Sequence, residues 1–268
     1  MSLLATQAAR LLWQHRLAGT VLDALPQACR PHDLDQAHAI QAELPAVSGQ
    51  AVVGWKIAAT SAAGQAHIRV DGPLPGRILA GFVHPVGRPV SLFGNRMRVV
   101  EPEFAFRFGQ TLAAQRQPRS VQEVMAAVDA LLPAFEVPDS RYADFTAAGQ
   151  AQLVADDACC GQFVFGAPAL PAADWRSLDL AAHRVHATVR AADGAVRMQR
   201  EGEGRAALGD PRTALAWLVN ELAARGVPMA AGSVVSTGTC MVPLPAGPGD
   251  EVQADFGVLG ALSLQLRD

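Results

Sequence analysis

The 268-residue chain almost lacks lysine: Lys56 stands alone among 22 basic residues, and the other 21 are arginines. It has a single tyrosine, Tyr142, and only four cysteines, Cys29, Cys159, Cys160 and Cys240. These form no Cys-x-x-Cys pair and no spaced framework, so zinc-ribbon and disulfide-scaffold architectures find no support. Reduced thiols in a cytoplasmic protein are the expectation. There is no block of basic residues and the formal net charge is −3, so the electrostatic footprint for nucleic acid or an anionic membrane surface is missing and neither is expected as a partner. No apolar run approaches the ~20 residues that a membrane-spanning helix needs. The stretch from Leu3 to Trp13 has no leading positive charge and is interrupted by Gln7 and Arg10. It reads as an amphipathic helix rather than a signal peptide.

What is present is half apolar and 18% charged, as expected of a globular protein with a sizeable core. Hydrophobic periodicity predicts two helices in the first ~45 residues, Leu3 to Arg16 and one from near Asp33 to about Leu44. After Gly49 short apolar runs bounded by Gly and Pro dominate: Ala51 to Ile57, Arg77 to Val83, Arg98 to Phe108, Leu178 to Arg190, Ser233 to Thr237, Glu251 to Phe256 and Ala261 to Leu266. Two strong helices interrupt them. One opens at Ser120 with Glu123 as a capping box, presents Val121, Val124, Met125, Val128 and Leu132, and stops at Pro133. The other has Asp210 as N-cap, Pro211 at the first helical position, a stripe of Leu215, Leu218, Val219 and Leu222, and Gly226 at its end. Two helices cannot alternate with so many strands, so the class is α+β. The expected division is an N-terminal helical region, 1–48, and a catalytic body, 49–268.

The segment Val99 to Phe108 is the most informative. In a strand, Phe104, Phe106 and Phe108 go to one side and Glu101 and Glu103 to the other. Two like charges held that close are most cheaply reconciled by a cation between them. Pro102 cannot donate to a ladder, which predicts an edge or a bulge. Phe135-Glu136-Val137 repeats the pattern with a third acid. Three carboxylates without a His or Cys cluster suit a hard cation, Mg²⁺ or Mn²⁺. On pattern alone the ordinary alternative is favoured: solvent-facing acids on half-buried strands. Lys56 lies in Gly54-Trp55-Lys56-Ile57 with Val53, Trp55 and Ile57 on one face and its own side chain on the other. A compact amine of tunable pKa is something Arg cannot imitate, although a lone lysine can equally be a chance surface residue.

Gly54-Trp55-Lys56-Ile57-Ala58-Ala59-Thr60-Ser61, Glu101-Pro102-Glu103, Phe135-Glu136-Val137, Ala155-Asp156-Asp157-Ala158, Gly209-Asp210-Pro211, Ser236-Thr237-Gly238-Thr239, Gly249-Asp250 and Asp255-Phe256-Gly257 occur in this order. The ordered set resembles the 2-keto-4-pentenoate hydratase family, which includes 4-oxalocrotonate decarboxylases and is similar to the catalytic domain of fumarylacetoacetate hydrolase. The resemblance implies a mixed β-sheet roll or sandwich, a homo-oligomer, Glu101, Glu103 and Glu136 as ligands of Mg²⁺ or Mn²⁺, and Lys56 as an active-site amine. It implies a 2-hydroxy-2,4-dienoate or 2-oxo acid as the small-molecule partner, hydrated at C4 to a 4-hydroxy-2-oxo acid in aromatic catabolism. Lys56 would bond the substrate oxyanion or move a proton, with burial and the metal lowering its pKa. Ser236, Thr237, Gly238 and Thr239 offer hydroxyls and an approachable backbone to a substrate carboxylate, or else form an ordinary turn, with Thr237, Gly238 and Thr239 as the candidate substrate contacts.

Three departures from the resemblance stand out. Cys159-Cys160 replaces small hydroxyl residues, Asp157 stands where Asn is expected, and Leu74, in Val70-Asp71-Gly72-Pro73-Leu74-Pro75-Gly76, replaces an acid that could position water. A 4-oxalocrotonate-type decarboxylase and a non-catalytic 2-oxo acid binding protein are therefore the competing readings. Other motifs carry less. His183 and His186 fall on opposite faces of a strand without the Glu of a zinc-protease motif. Gly202-x-Gly204 with Gly209 has the wrong spacing for a dinucleotide fingerprint and reads as a flexible loop. Ser61 and Ser91 have no nucleophile-elbow context.

Overall fold

The structure, a computed structural model, describes residues 2–268. Three helices come first: α1 (Leu3–Ala18), α2 (Leu34–Ala42), whose N-cap Asp33 accepts from the Gln36 N–H, and α3 (Leu44–Ser48). The body follows as β1 (Val52–Ala58), α4 (Ala62–Ile68), β2 (Leu74–Leu79), β3 (Val83–His84), β4 (Val90–Ser91), β5 (Val99–Phe108), α5 (Val121–Ala126), β6 (Val128–Val137), α6 (Gln150–Ala155) and β7 (Gln162–Phe165). It ends with α7 (Ala172–Trp175), β8 (Arg184–Arg190), β9 (Val196–Glu203), α8 (Pro211–Ala224), β10 (Val234–Thr239), β11 (Leu244–Pro245), β12 (Glu251–Asp255) and β13 (Ala261–Arg267).

The strands form two mixed sheets. One runs β2-β1-β10-β5-β6-β7-β3, with β11 also on β5, and the other runs β4-β13-β12-β8-β9. The α+β class and the roll of mixed sheets are as expected. The main core lies where the sheets and α8 meet: Trp55, Ile57, Phe104, Phe106, Phe108 and Phe135 from the first sheet pack with Val185, Val189, Val252 and Leu264 from the second and with Leu215, Leu218 and Leu222. A second core joins the N-terminal helices to the body through Ala8, Leu12, Ala37 and Ile40 with Leu74, Tyr142, Leu153 and Val154. Among the described residues no helix is long and apolar enough to cross a membrane.

Several expected boundaries move. The Ser120–Glu123 capping box forms, but α5 ends at Ala126 and the chain turns straight into β6. Val128 and Leu132 are thus strand residues, because the pairing of β6 with β5 from Glu136 opposite Glu101 to Val128 opposite Phe108, with one register shift at its far end, outweighs helical periodicity. Val53 is bulged out of the β1 pattern and exposed rather than sharing the face of Trp55. β5 lies inside its sheet, not at an edge. The bulge predicted from Pro102 is on its neighbour: β10 shifts register between Ser236 and Thr239. β9 has little apolar signal because it is a largely exposed edge strand rich in charged residues. Its end also departs from the flexible-loop reading, since Gly202 and Gly204 are packed so closely that a Cβ would collide with the carbonyls of Cys240 and Leu180.

Candidate metal centre

Four adjacent strands, β1, β10, β5 and β6, bring the candidate residues to one face of the larger sheet. Glu136 sits directly across from Glu101 in the antiparallel β5–β6 pair, and Glu103 follows two residues on. One oxygen from each of the three carboxylates lies within 4.8 Å of the others. That span is compatible with oxygens grouped around one small divalent cation. The acids are not the ordinary surface pair that pattern favours: Glu103 and Glu136 are 1% and 0% exposed. Glu101 keeps partial exposure.

The donor set fits a cation for a further reason. Glu103 Oε2 accepts from the Ser236 hydroxyl at 2.6 Å and the Gly238 N–H at 2.9 Å, yet Glu103 Oε1 and Glu136 Oε2 are buried without a hydrogen-bond partner among the described residues. Leaving such oxygens desolvated and unpaired is costly. Burial, and then the neighbouring carboxylates, push Glu101 up to about 7 and Glu103 well above the usual range, while Ser236 and Lys56 pull in the other direction. Burial also raises Glu136, against the attraction of Lys56. Three carboxyl groups share a single ammonium, so the site is short of positive charge.

Lys56, 2% exposed, points to this face as β1 alternation predicts. Its Nζ stands 3.2 Å from Glu136 Oε1 and donates to the Ala158 carbonyl at 2.9 Å. Burial presses the ammonium pKa down, but Glu136 and the other acidic groups more than offset it, and the net direction is up. Burial acts in the expected direction, and it is the ion pair with Glu136 that outweighs it. Opposite it on β2 is Gly76, where a Cβ would fall 2.9 Å from the Lys56 side chain and 2.6 Å from the Asp157 carbonyl oxygen.

The Thr237-Gly238-Thr239 run forms the β10 bulge beside Glu103. Gly238 has φ +101°, and a Cβ there would overlap Thr60. Thr237 directs its hydroxyl to the Phe104 carbonyl, and Thr239 directs its own to Met241. Ser236, the first hydroxyl of the same run, is the one that meets Glu103. Its signal is period-two spacing with Gly238 on a strand next to β5. Gln41 of α2 carried no signal, yet its Nε2 donates to the Pro75 carbonyl at 2.7 Å and to Asp157 Oδ1 at 3.1 Å. Leu74 is buried in the second core, on the same sheet face as Lys56. Burial drives the Cys159 thiol up to about 12 and Cys160 well above its ordinary value, so neither is a ready nucleophile. His183 bonds the Phe256 carbonyl at 2.7 Å, and His186 is exposed beside Glu201.

Comparison with known proteins gives a consistent picture. Residues 38–267 match the family described as fumarylacetoacetate (FAA) hydrolase C-terminal. A 2-hydroxyhexa-2,4-dienoate hydratase of Comamonas testosteroni is 34% identical over 229 residues, covering 82% of this chain and 80% of its own. A 4-oxalocrotonate decarboxylase of Pseudomonas sp. (strain CF600) is 34% identical over 216 residues, covering 80% of this chain and 77% of its own. Among solved structures, 4-oxalocrotonate decarboxylase from Pseudomonas putida G7, complexed with magnesium and adipate, superposes with a TM-score of 0.83 at 26% identity over 98% of this chain and 97% of its own. With its fold, its three-carboxylate face and these relatives, the chain belongs to the fumarylacetoacetate hydrolase family, among the 2-keto-4-pentenoate hydratase-like enzymes.

Proposed function

We propose that the chain is a divalent-metal-dependent hydro-lyase that hydrates a 2-hydroxy-2,4-dienoate, of the 2-oxopent-4-enoate type, to a 4-hydroxy-2-oxo acid in aromatic catabolism. The observation that carries this reading is the buried cluster of Glu101, Glu103 and Glu136 with Lys56 at 3.2 Å from Glu136. Glu101, Glu103 and Glu136 would hold Mg²⁺ or Mn²⁺, and a cation bound there supplies the positive charge that stabilises an enolate. Lys56 has a third N–H beyond those directed at Glu136 and Ala158, and it donates this to a substrate oxygen or passes a proton. Net hydration loses the proton of the C2 hydroxyl, adds protons at C5 and C3, and places the water oxygen on C4, once C3=C4 is conjugated to the C2 carbonyl. Thr239, only partly buried, is the member of the Thr237-Gly238-Thr239 run best placed to meet the substrate carboxylate.

A decarboxylase on the same site is the second reading, favoured by the magnesium-and-adipate structural relative and by apolar Leu74 in place of an acid. Loss of diene absorbance from 2-hydroxypenta-2,4-dienoate with Mg²⁺ tests the first, and carbon dioxide release from 2-oxohex-3-enedioate moves the assignment to the second. Oxalate binding with no turnover of either substrate makes it a binding protein. The same reading places the chain in a homo-oligomer, to be checked by light scattering. It also places it in the cytoplasm, where its four free cysteines suit a reducing compartment.

A further inference from the structure

The lysine is held by a turn of the less common hand. Asp157, Ala158 and Cys159 follow one another at φ of 60°, 55° and 58°, a left-handed conformation that costs non-glycine residues on the order of 1 kcal/mol each. Such a run persists only where its surroundings over-determine it. The tethers are present on both sides. Asp156 accepts from the Ser140 hydroxyl and the Arg141 N–H, each at 2.7 Å. Asp157 Oδ1 accepts from the Arg77 N–H of β2 at 2.7 Å and from Gln41 of α2 at 3.1 Å. Arg16 of α1 donates to the Cys160 carbonyl at 2.9 Å. The turn delivers the Ala158 carbonyl to Lys56 Nζ at 2.9 Å.

We propose that Gln41 and Asp157 are positioning residues for Lys56. Together they clamp the left-handed turn to β2, and through the Ala158 carbonyl they fix the direction of the ammonium group. Gln41 is 1% exposed and comes from the helical region before residue 49, so that region supplies part of the support of the site. The effect on turnover rests on Lys56 being the active-site amine, while the clamp itself rests on geometry alone. Without the Ala158 carbonyl in place, Lys56 loses a fixed acceptor and its amine samples orientations away from the third-donor direction, where it is more open to a reagent.

The single lysine makes a direct test possible. Acylation of Lys56 by an amine reagent is followed by peptide mass, separately from the N-terminal amine, in native protein verified by circular dichroism. Asp157→Asn keeps an Oδ1 acceptor and should match the parent in Lys56 acylation and in kcat. Asp157→Ala and Gln41→Leu should acylate at Lys56 about tenfold faster and lose about tenfold or more in kcat, since an error of ~1 Å in placement can cost ~100-fold. KM and Mg²⁺ affinity should remain within about twofold, which separates mispositioning from general loss of the site. If Asp157→Ala does not fold, Gln41→Leu decides. Unchanged Lys56 acylation in the folded variants overturns the clamp, as does failure of Asp157→Asn to match the parent. Faster acylation with unchanged turnover supports the clamp and overturns the role given to Lys56.

Discussion

Replacing Asp157 by Asn should flatten the dependence of stability on pH. Burial pushes the Asp157 carboxyl from its ordinary 3.8 to about 7, against the Arg77 N–H and the charges of Arg16 and Arg77, which pull it down. A group whose folded pKa is raised favours the folded state at low pH, and that contribution is lost as pH rises from the unfolded value through the folded one. The window is therefore about pH 4 to 7. Each unit corresponds to about 1.4 kcal/mol, so between pH 5 and pH 8 this one residue costs the parent about 3 kcal/mol. The amide keeps the Oδ1 acceptor for Arg77 and Gln41, and it places an unpaired N–H₂ where Oδ2 is already buried without a partner. That second effect does not titrate, so the difference between the variants as a function of pH isolates the first. Urea unfolding at pH 5, 6, 7 and 8 should give curves for Asp157→Asn and the parent that diverge by about 2 to 3 kcal/mol in favour of Asn toward pH 8. Parallel curves would refute the reasoning and show that the carboxyl is ionised throughout.

Three further outcomes are expected. Glu103→Gln should weaken Mg²⁺ binding at least about tenfold by calorimetry, because a charged oxygen donor is lost; unchanged affinity removes Glu103 from the ligand set. Lys56→Arg keeps the charge but brings a planar fork into a space made for a compact ammonium, so turnover should collapse while Mg²⁺ affinity persists. Gly76→Ala puts a Cβ 2.6 Å from the Asp157 carbonyl oxygen. It should cost about 1–3 kcal/mol in chemical denaturation, as overpacking against backbone does, with activity falling in parallel.

Where periodicity and local chemistry pointed the same way, the sequence was legible. The alternation Glu101-x-Glu103 against Phe104-x-Phe106 placed the acids and the core on opposite faces, and Asp210-Pro211 marked the start of α8. The scarcity of lysine drew attention to Lys56, whose side chain touches one of the three acids. What stayed hidden depends on partners distant in the chain. Val128 and Leu132 satisfy a helical pattern, but β5 claims them for a sheet. Gln41 looks like any polar helix residue until residue 157 folds against it, 116 positions away. Burial was equally invisible: nothing local distinguishes Glu136 at 0% exposure from a solvated strand acid.

The pairing of β5 with β6 makes formation of the site a test of folding accuracy. Glu101 and Glu136 are opposite each other in an antiparallel ladder, and a slip of one residue would turn one strand over, sending Glu136 into the aromatic core and Phe135 or Val137 toward the acids. Any slip by an odd number of residues separates Glu136 from Glu101 and Glu103. Stoichiometric uptake of a divalent ion by refolded protein would thus count the molecules whose two central strands present the native faces, which neither helix content nor compactness can do.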